Sequence, residues 1–227
     1  AYEMISALMI QGTLKAGEPV TLRQAAELTG LGLGPVRDAI FQLVTEGALQ
    51  MLPNRTTIVP LLTRVEFDEL YEVRCLLEGL AVSRAALNIR SSELKAVRRH
   101  LDDLLQALDA RDLTSVLQSN RAFQFGIYNA SGSQTLVKMI EGLWQRFGPT
   151  LMMLMTAETL EREQFFRGTY DDHVGLLEAL HHRNPEAARQ HLVRMVTKSG
   201  ELDYYNNQSP DYDGITYAEV RIDERAI

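Results

Sequence analysis

The run Leu31-Gly-Leu-Gly-Pro-Val-Arg-Asp-Ala-Ile40 couples a glycine-loosened turn to the start of a helix. Pro35 suits a first helical turn, where its missing N–H leaves no hydrogen bond unmade. Val36, Ile40, Leu43 and Val44 then recur at helical spacing as far as Gly47. Upstream, Thr21 suits an N-cap for a short helix through Leu28, which Thr29-Gly30 ends. Two short helices across a tight Gly-containing turn make a helix-turn-helix candidate. Further upstream, Met4, Ile5, Leu8, Met9 and Ile10 give residues 2–11 a helical period, followed by the turn Ala16-Gly-Glu-Pro19. Downstream, residues 48–52 and 56–59 are β-prone around Pro53-Asn54-Arg55, which reads as a hairpin and stands where a wing belongs.

Pro60 marks a change of composition, and long helical segments with few Gly or Pro follow. The periodicity predicts helices over 64–88, 92–110, 113–130, 134–155, 160–182 and 185–201, enough for a bundle with an internal cavity. The expected fold is mainly α: a winged helix-turn-helix at 1–62, then an antiparallel bundle of six to seven helices at 63–202. A tail at 203–227, rich in Tyr, Asp and Asn, carries one candidate strand at 215–222. No fixed period repeats, which argues against a solenoid.

The 227 residues carry a net charge of -7, so bulk charge does not draw this chain to nucleic acid or to anionic membranes. DNA contacts must be local. The single cysteine, Cys75, can form no intrachain disulfide and reads as a small buried apolar side chain. No apolar run approaches the roughly 18 residues of a membrane span and no basic-then-apolar leader opens the chain, so a cytoplasmic location without membrane contact is expected. The chain opens inside a helix, and a further N-terminal segment is expected before it.

A short helix in the major groove needs basic side chains and amides to fix it on phosphates. Arg23 on the second helix, Arg37 on the third and Arg55 at the hairpin tip are the candidates, against a reading as solvated surface. In order, Ala16-Gly17, the run 31–40, Glu46-Gly47-Ala48 and Pro53-Asn54-Arg55-Thr56 resemble the DNA-binding pattern of the GntR family of bacterial transcriptional regulators. That pattern has Ser, Arg and Thr before the proline, whereas Gly32, Leu33 and Gly34 stand here, and Thr56 replaces a wing glycine. The resemblance implies DNA contacts from Gly32, Leu33, Gly34, Asn54 and Thr56 as well as the arginines. Residues 1–62 hold four basic against five acidic side chains, so weak phosphate neutralisation is expected.

The resemblance extends through Glu69-Leu-Tyr-Glu-Val-Arg-Cys-Leu-Leu-Glu78, Asn120-Arg-Ala-Phe-Gln124, Leu143-Trp-Gln-Arg146, Asp172-His173 and Asn184-Pro-Glu-Ala-Ala188, which are similar to the FCD ligand-sensing domain of the FadR-type branch. Many such domains hold a divalent metal through Asp or Asn, a His four residues on, and two further His. The matching positions here are Asn120, Gln124, His173 and Met195, and an amide oxygen and a thioether bind Zn²⁺ or Ni²⁺ poorly. No metal or other cofactor is therefore expected; if one is retained, His191, one turn before Met195, would join Asn120 and His173. Without a metal, Asn120, Gln124, His173 and Met195 line a polar pocket for a small organic effector. Arg74 would grip an effector carboxylate through two parallel hydrogen bonds, or instead pair with Glu78 four residues on. Arg146 is a second candidate of the same kind. His173 is otherwise a core histidine on a backbone carbonyl, His100, His181 and His182 read as solvated, and Met152, Met153 and Met155 read as core.

The resemblance implies a homodimer that presents two winged helices to a double-stranded operator, most simply as a repressor released by its effector. Two other readings stay open: an effector-binding dimer with degenerate DNA binding, and a helical enzyme using His173 as base beside Asp172.

Overall fold

The computed structural model describes residues 1–156 and 161–200. The candidate strand at 215–222 and the tail lie outside the described residues.

α1 (Tyr2–Ile10), α2 (Leu22–Thr29) and α3 (Leu33–Thr45) precede a two-stranded antiparallel hairpin, β1 (Gln50–Met51) and β2 (Thr57–Ile58), with Gln50 opposite Ile58 and Met51 opposite Thr57. The Thr21 side chain accepts a hydrogen bond from Gln24 N as the N-cap of α2, and Gly30 closes that helix in the left-handed region at φ 69°. α3 begins at Leu33, earlier than the Gly34-Pro35 start expected. Pro35 still falls among the first four residues, whose N–H groups have no helical partner.

The hairpin turns through Leu52-Pro53-Asn54-Arg55. Arg55 N–H donates to the Leu52 carbonyl at 2.8 Å, and the Asn54 side chain accepts from Thr56 N at 3.0 Å. The left-handed residue is Arg55, at φ 68°, so the lack of glycine at Thr56 leaves the backbone unstrained there.

Six further helices follow: α4 (Arg64–Asn88), α5 (Ser91–Asp109), α6 (Leu113–Asn129), α7 (Gln134–Thr156), α8 (Glu161–His181) and α9 (Pro185–Gly200). Thr63 and Glu66 cap α4 reciprocally, while the Asp112 side chain caps α6 on Ser115 N at 3.2 Å. Among the described residues the architecture is mainly helical, with a small wing between three short helices and a six-helix bundle.

Two apolar cores divide the chain between Val59 and Leu62. The first gathers Ile5, Met9, Leu14, Val36, Leu43, Leu49 and Val59; the second gathers Phe67, Ala81, Phe123, Ile127, Ile140, Leu176 and Leu192. α1 joins them, because it packs on α3 and on α7. Gly148 of α7 permits the approach: a Cβ there would stand 3.2 Å from Ile10 Cγ1. Met152 is buried at the same junction against Gly12, and Cys75 is half-buried against the bundle core rather than enclosed by it.

Candidate nucleic-acid interface and bundle site

The solvent face of α3 carries Leu33, Gly34, Arg37, Asp38 and Phe41, all exposed, while Val36, Ile40 and Leu43 turn inward. Phe41 is 69% exposed, one turn beyond Arg37. Its place four residues after Arg37, on the same helix face, is the signal the sequence carries for it. Gly32 is the N-cap of α3 without a side-chain bond, and nothing lies within 4 Å of a Cβ built at Gly32 or Gly34. Arg23 is exposed and lies 3.0 Å from Glu27 in an ion pair one turn on, which partly offsets its charge. Exposed Asn54, Arg55 and half-buried Thr56 form the wing tip.

Inside the bundle, Arg74 and Glu78 are both buried, at 3% and 0% exposure, and pair at 2.8 Å. The two-bond grip expected for an effector carboxylate is occupied by Glu78: Arg74 Nε donates to its Oε1 and Nη2 to its Oε2 at 3.3 Å. Burial alone would lower the guanidinium's pKa, but the adjacent Glu78 carboxylate outweighs it and keeps the charge in place. The guanidinium also lies 3.8 Å from the centre of the Phe147 ring and 4.8 Å from that of Tyr71. Its Nη1 is buried without a hydrogen-bond partner.

Glu78 anchors a chain of polar groups. It accepts from Trp144 Nε1 at 3.0 Å and from the Tyr128 hydroxyl at 2.7 Å. Burial, reinforced by Glu78, pushes the Tyr128 phenol well above its ordinary pKa, so it remains a donor. Tyr128 also meets the Gln124 amide, Gln124 lies 3.5 Å from the Asn120 amide, and Asn120 lies 3.2 Å from His173 Nε2. His173 Nδ1 faces the Thr169 carbonyl at 2.8 Å and must donate to it.

Burial pulls the His173 pKa down to about 4, so the ring is neutral at pH 7 and Nε2 is an acceptor. Oxygen and nitrogen of an amide are assigned by their partners. Asn120 must therefore turn its NH₂ toward Nε2, and that group also donates to the Gln124 carbonyl, whose own NH₂ donates to Tyr128. Directed this way, each contact from His173 to Glu78 pairs a donor with an acceptor. Tyr128 and Trp144 were missed in the sequence, although Asn120, Gln124 and Tyr128 follow at successive turns of α6.

Met195 is buried in the bundle core, whereas Arg146 is not with these groups. It stands at the domain junction, its Nε 3.9 Å from the position of a Cβ on Gly47, in a recess shared with Leu49 and Met51. His191 is turned outward, with Nδ1 3.2 Å from Asp172 Oδ1, and its ring packs over Gly175. Asp172 further accepts from Arg194 and Lys198, both at 2.8 Å. Burial would raise this carboxyl, but the bonds from Lys198, Arg194 and His191 hold it below its ordinary value. Asp172 and His173 thus serve different partners, and no acid–imidazole pair for base catalysis forms between them.

The donor set does not suit the metal that many similar domains hold. His173 and Asn120 engage each other, Gln124 bonds Tyr128, and Met195 offers a soft thioether. Among the described residues, no group of three or more His, Cys, Asp and Glu side chains is placed to hold an ion. His100 is half-exposed 3.9 Å from Asp103, and His181 and His182 are exposed. Among the described residues no helix is long and apolar enough to cross a membrane.

An exposed α3 face beside a hairpin wing, joined to a six-helix bundle, is the architecture of a winged helix-turn-helix protein with a second, helical domain. Residues 1–59 match the family described as bacterial regulatory proteins, gntR family, and residues 69–198 match the FCD domain. The chain belongs to the GntR family of transcriptional regulators, in the branch with a C-terminal FCD domain; it is a regulator and not an enzyme. It is 31% identical to the HTH-type transcriptional regulator McbR of Escherichia coli (strain K12) over 193 residues, which cover 85% of this chain and 86% of that one. The solved structure of E. coli McbR/YncC superposes with a TM-score of 0.83 at 29% identity, covering 91% of this chain and 96% of that one. The HTH-type transcriptional repressor GlaR of E. coli (strain K12) is 25% identical over 204 residues, covering 86% and 92%.

Proposed function

We propose that the chain is a cytoplasmic homodimeric repressor that binds a two-fold operator through Arg37 on α3, Arg23 on α2 and the Arg55 wing, and that a small organic effector in the bundle releases it. The observation that carries this reading is the outer face of α3, where Arg37 stands exposed between Leu33 and Phe41 beside the wing. Residues 1–62 are taken as the DNA-binding unit, 63–202 as the sensing unit and 203–227 as a tail. The relative GlaR is named a repressor, which supports the sign of regulation.

A stripe on α4 supports the dimer. Val65, Val73, Leu76, Leu80 and Leu87 are exposed at spacings that keep one face of the helix, a pattern that a second copy of the chain would cover. Two copies then set two α3 helices for successive major grooves.

The bundle effector meets Arg74, Asn120, Gln124, His173 and Met195. Glu78 already neutralises Arg74, so a second carboxylate would face a buried negative charge, and only the Nη1 donor lacks an acceptor. A carbonyl or hydroxyl oxygen suits that donor better than the full carboxylate expected from the sequence. Arg146, at the junction, transmits between units rather than contacting this ligand. Gel shifts on a duplex selected from a random pool test the reading: binding should weaken with salt and fall for Arg37→Ala. Binding indifferent to both would contradict it.

A further inference from the structure

A cavity of about 380 Å³ lies between the winged helix and the bundle, walled by α1, α6 and α7. It shares no residue with the Arg74–His173 chain. Arg121 of α6 lines it, with its guanidinium 4.2 Å from the centre of the Phe125 ring and Nη1 buried without a hydrogen-bond partner. Desolvation lowers the Arg121 pKa, and Glu141 of α7 counters this by charge alone, without approaching to ion-pair distance. A largely buried guanidinium with no carboxylate on it is costly to keep charged.

The other walls differ in sign and polarity. Glu3 on α1 and Glu141 on α7 supply carboxylates, while Ile10, Leu117 and Met152 supply apolar surface. Ser6 Oγ, on the α1 wall, is a second buried polar atom without a partner. A dicarboxylate would meet Glu3 and Glu141, and a simple amine would leave Arg121 unpaired. One carboxylate, one ammonium group and an apolar side chain satisfy all three walls together.

We propose that this junction cavity is a second ligand site, for a zwitterionic amino-acid-type molecule up to the size of a dipeptide, whose carboxylate binds Arg121 and whose ammonium group faces Glu141 and Glu3. The ligand bridges α1 of the DNA-binding unit to α6 and α7 of the sensing unit. It therefore favours the packed arrangement of the two, and operator affinity shifts by its differential affinity for that arrangement. The volume falls in the range of small-molecule sites.

Calorimetric titration of the full chain with L-leucine, L-methionine and L-leucyl-L-methionine tests the site, with 4-methylpentanoate and isopentylamine as single-charge analogues. At least one zwitterion should saturate, with each analogue at least about tenfold weaker. Arg121→Gln should lose the zwitterion while melting cooperatively, and Arg121→Lys should keep part of it. If Arg121→Gln does not fold, Glu141→Gln replaces it and should weaken the zwitterion but not 4-methylpentanoate. Saturation by none of the three zwitterions, analogues binding as tightly, or a folded variant binding like the parent would overturn the proposal. Operator binding that still depends on Arg37 would show such a failure to concern this cavity alone.

Discussion

Glu78 is a buried carboxylate with three side-chain donors, from Arg74, Trp144 and Tyr128. Removing its charge strands the Arg74 guanidinium, so Glu78→Gln should destabilise the protein by about 3–5 kcal/mol in urea unfolding. His173 gives a pH signature. Its folded pKa is about 4 against an ordinary 6.5, because burial disfavours the imidazolium. The unfolded chain therefore binds the proton first: this contribution is complete above about pH 6.5 and is lost as pH falls toward 4, amounting to about 3 kcal/mol. The same pH series on His173→Gln should lack that loss. At the wing, Arg55 holds a left-handed backbone that glycine takes more easily, so Arg55→Gly should raise stability by about 1 kcal/mol while weakening DNA binding. At this scale the sequence was partly legible. The Arg74–Glu78 alternative follows from spacing four on one helix, but Trp144 reaches Glu78 from another helix, which no local pattern reports.

The helices themselves were legible almost to their ends, since apolar period, the Thr21 cap and the Gly30 stop are local signals. The wing was legible as well from Pro53-Asn54-Arg55, although no local signal marks Arg55 as its left-handed residue. The recognition helix offers a test of its own. Leu33 is 53% exposed at the position where the family pattern carries arginine. Leu33→Arg should tighten DNA binding and steepen the slope of log affinity against log salt by roughly 0.9 for each new phosphate contact, read by fluorescence anisotropy. An unchanged slope would mean that this face does not meet the backbone.

Across the whole molecule, what the sequence hid is the joint between units. The resemblance puts Arg146 beside Arg74 as a second effector-gripping arginine, yet it stands next to Gly47 in a recess on the wing side. Tyr2 spans the same joint, with its hydroxyl on Glu46 of the first unit and 3.0 Å from Gln145 of the second. Burial and the nearby Glu46 push that phenol up to about 12, so the contact persists through the neutral range. The α4 stripe is the other long-range feature: Leu76→Glu with Leu80→Glu should shift sedimentation from dimer to monomer and cut affinity for a two-fold operator far more than for a half-site.

Whether the outer face of α3 meets DNA is tested by the salt dependence of binding to the selected operator, by anisotropy, for the parent chain and for Arg37→Ala. Affinity should fall steeply with salt, and the Arg37→Ala line should be weaker and shallower by roughly one phosphate contact. Two superimposed lines, or affinity indifferent to salt, would contradict the claim that this face of α3 reads DNA.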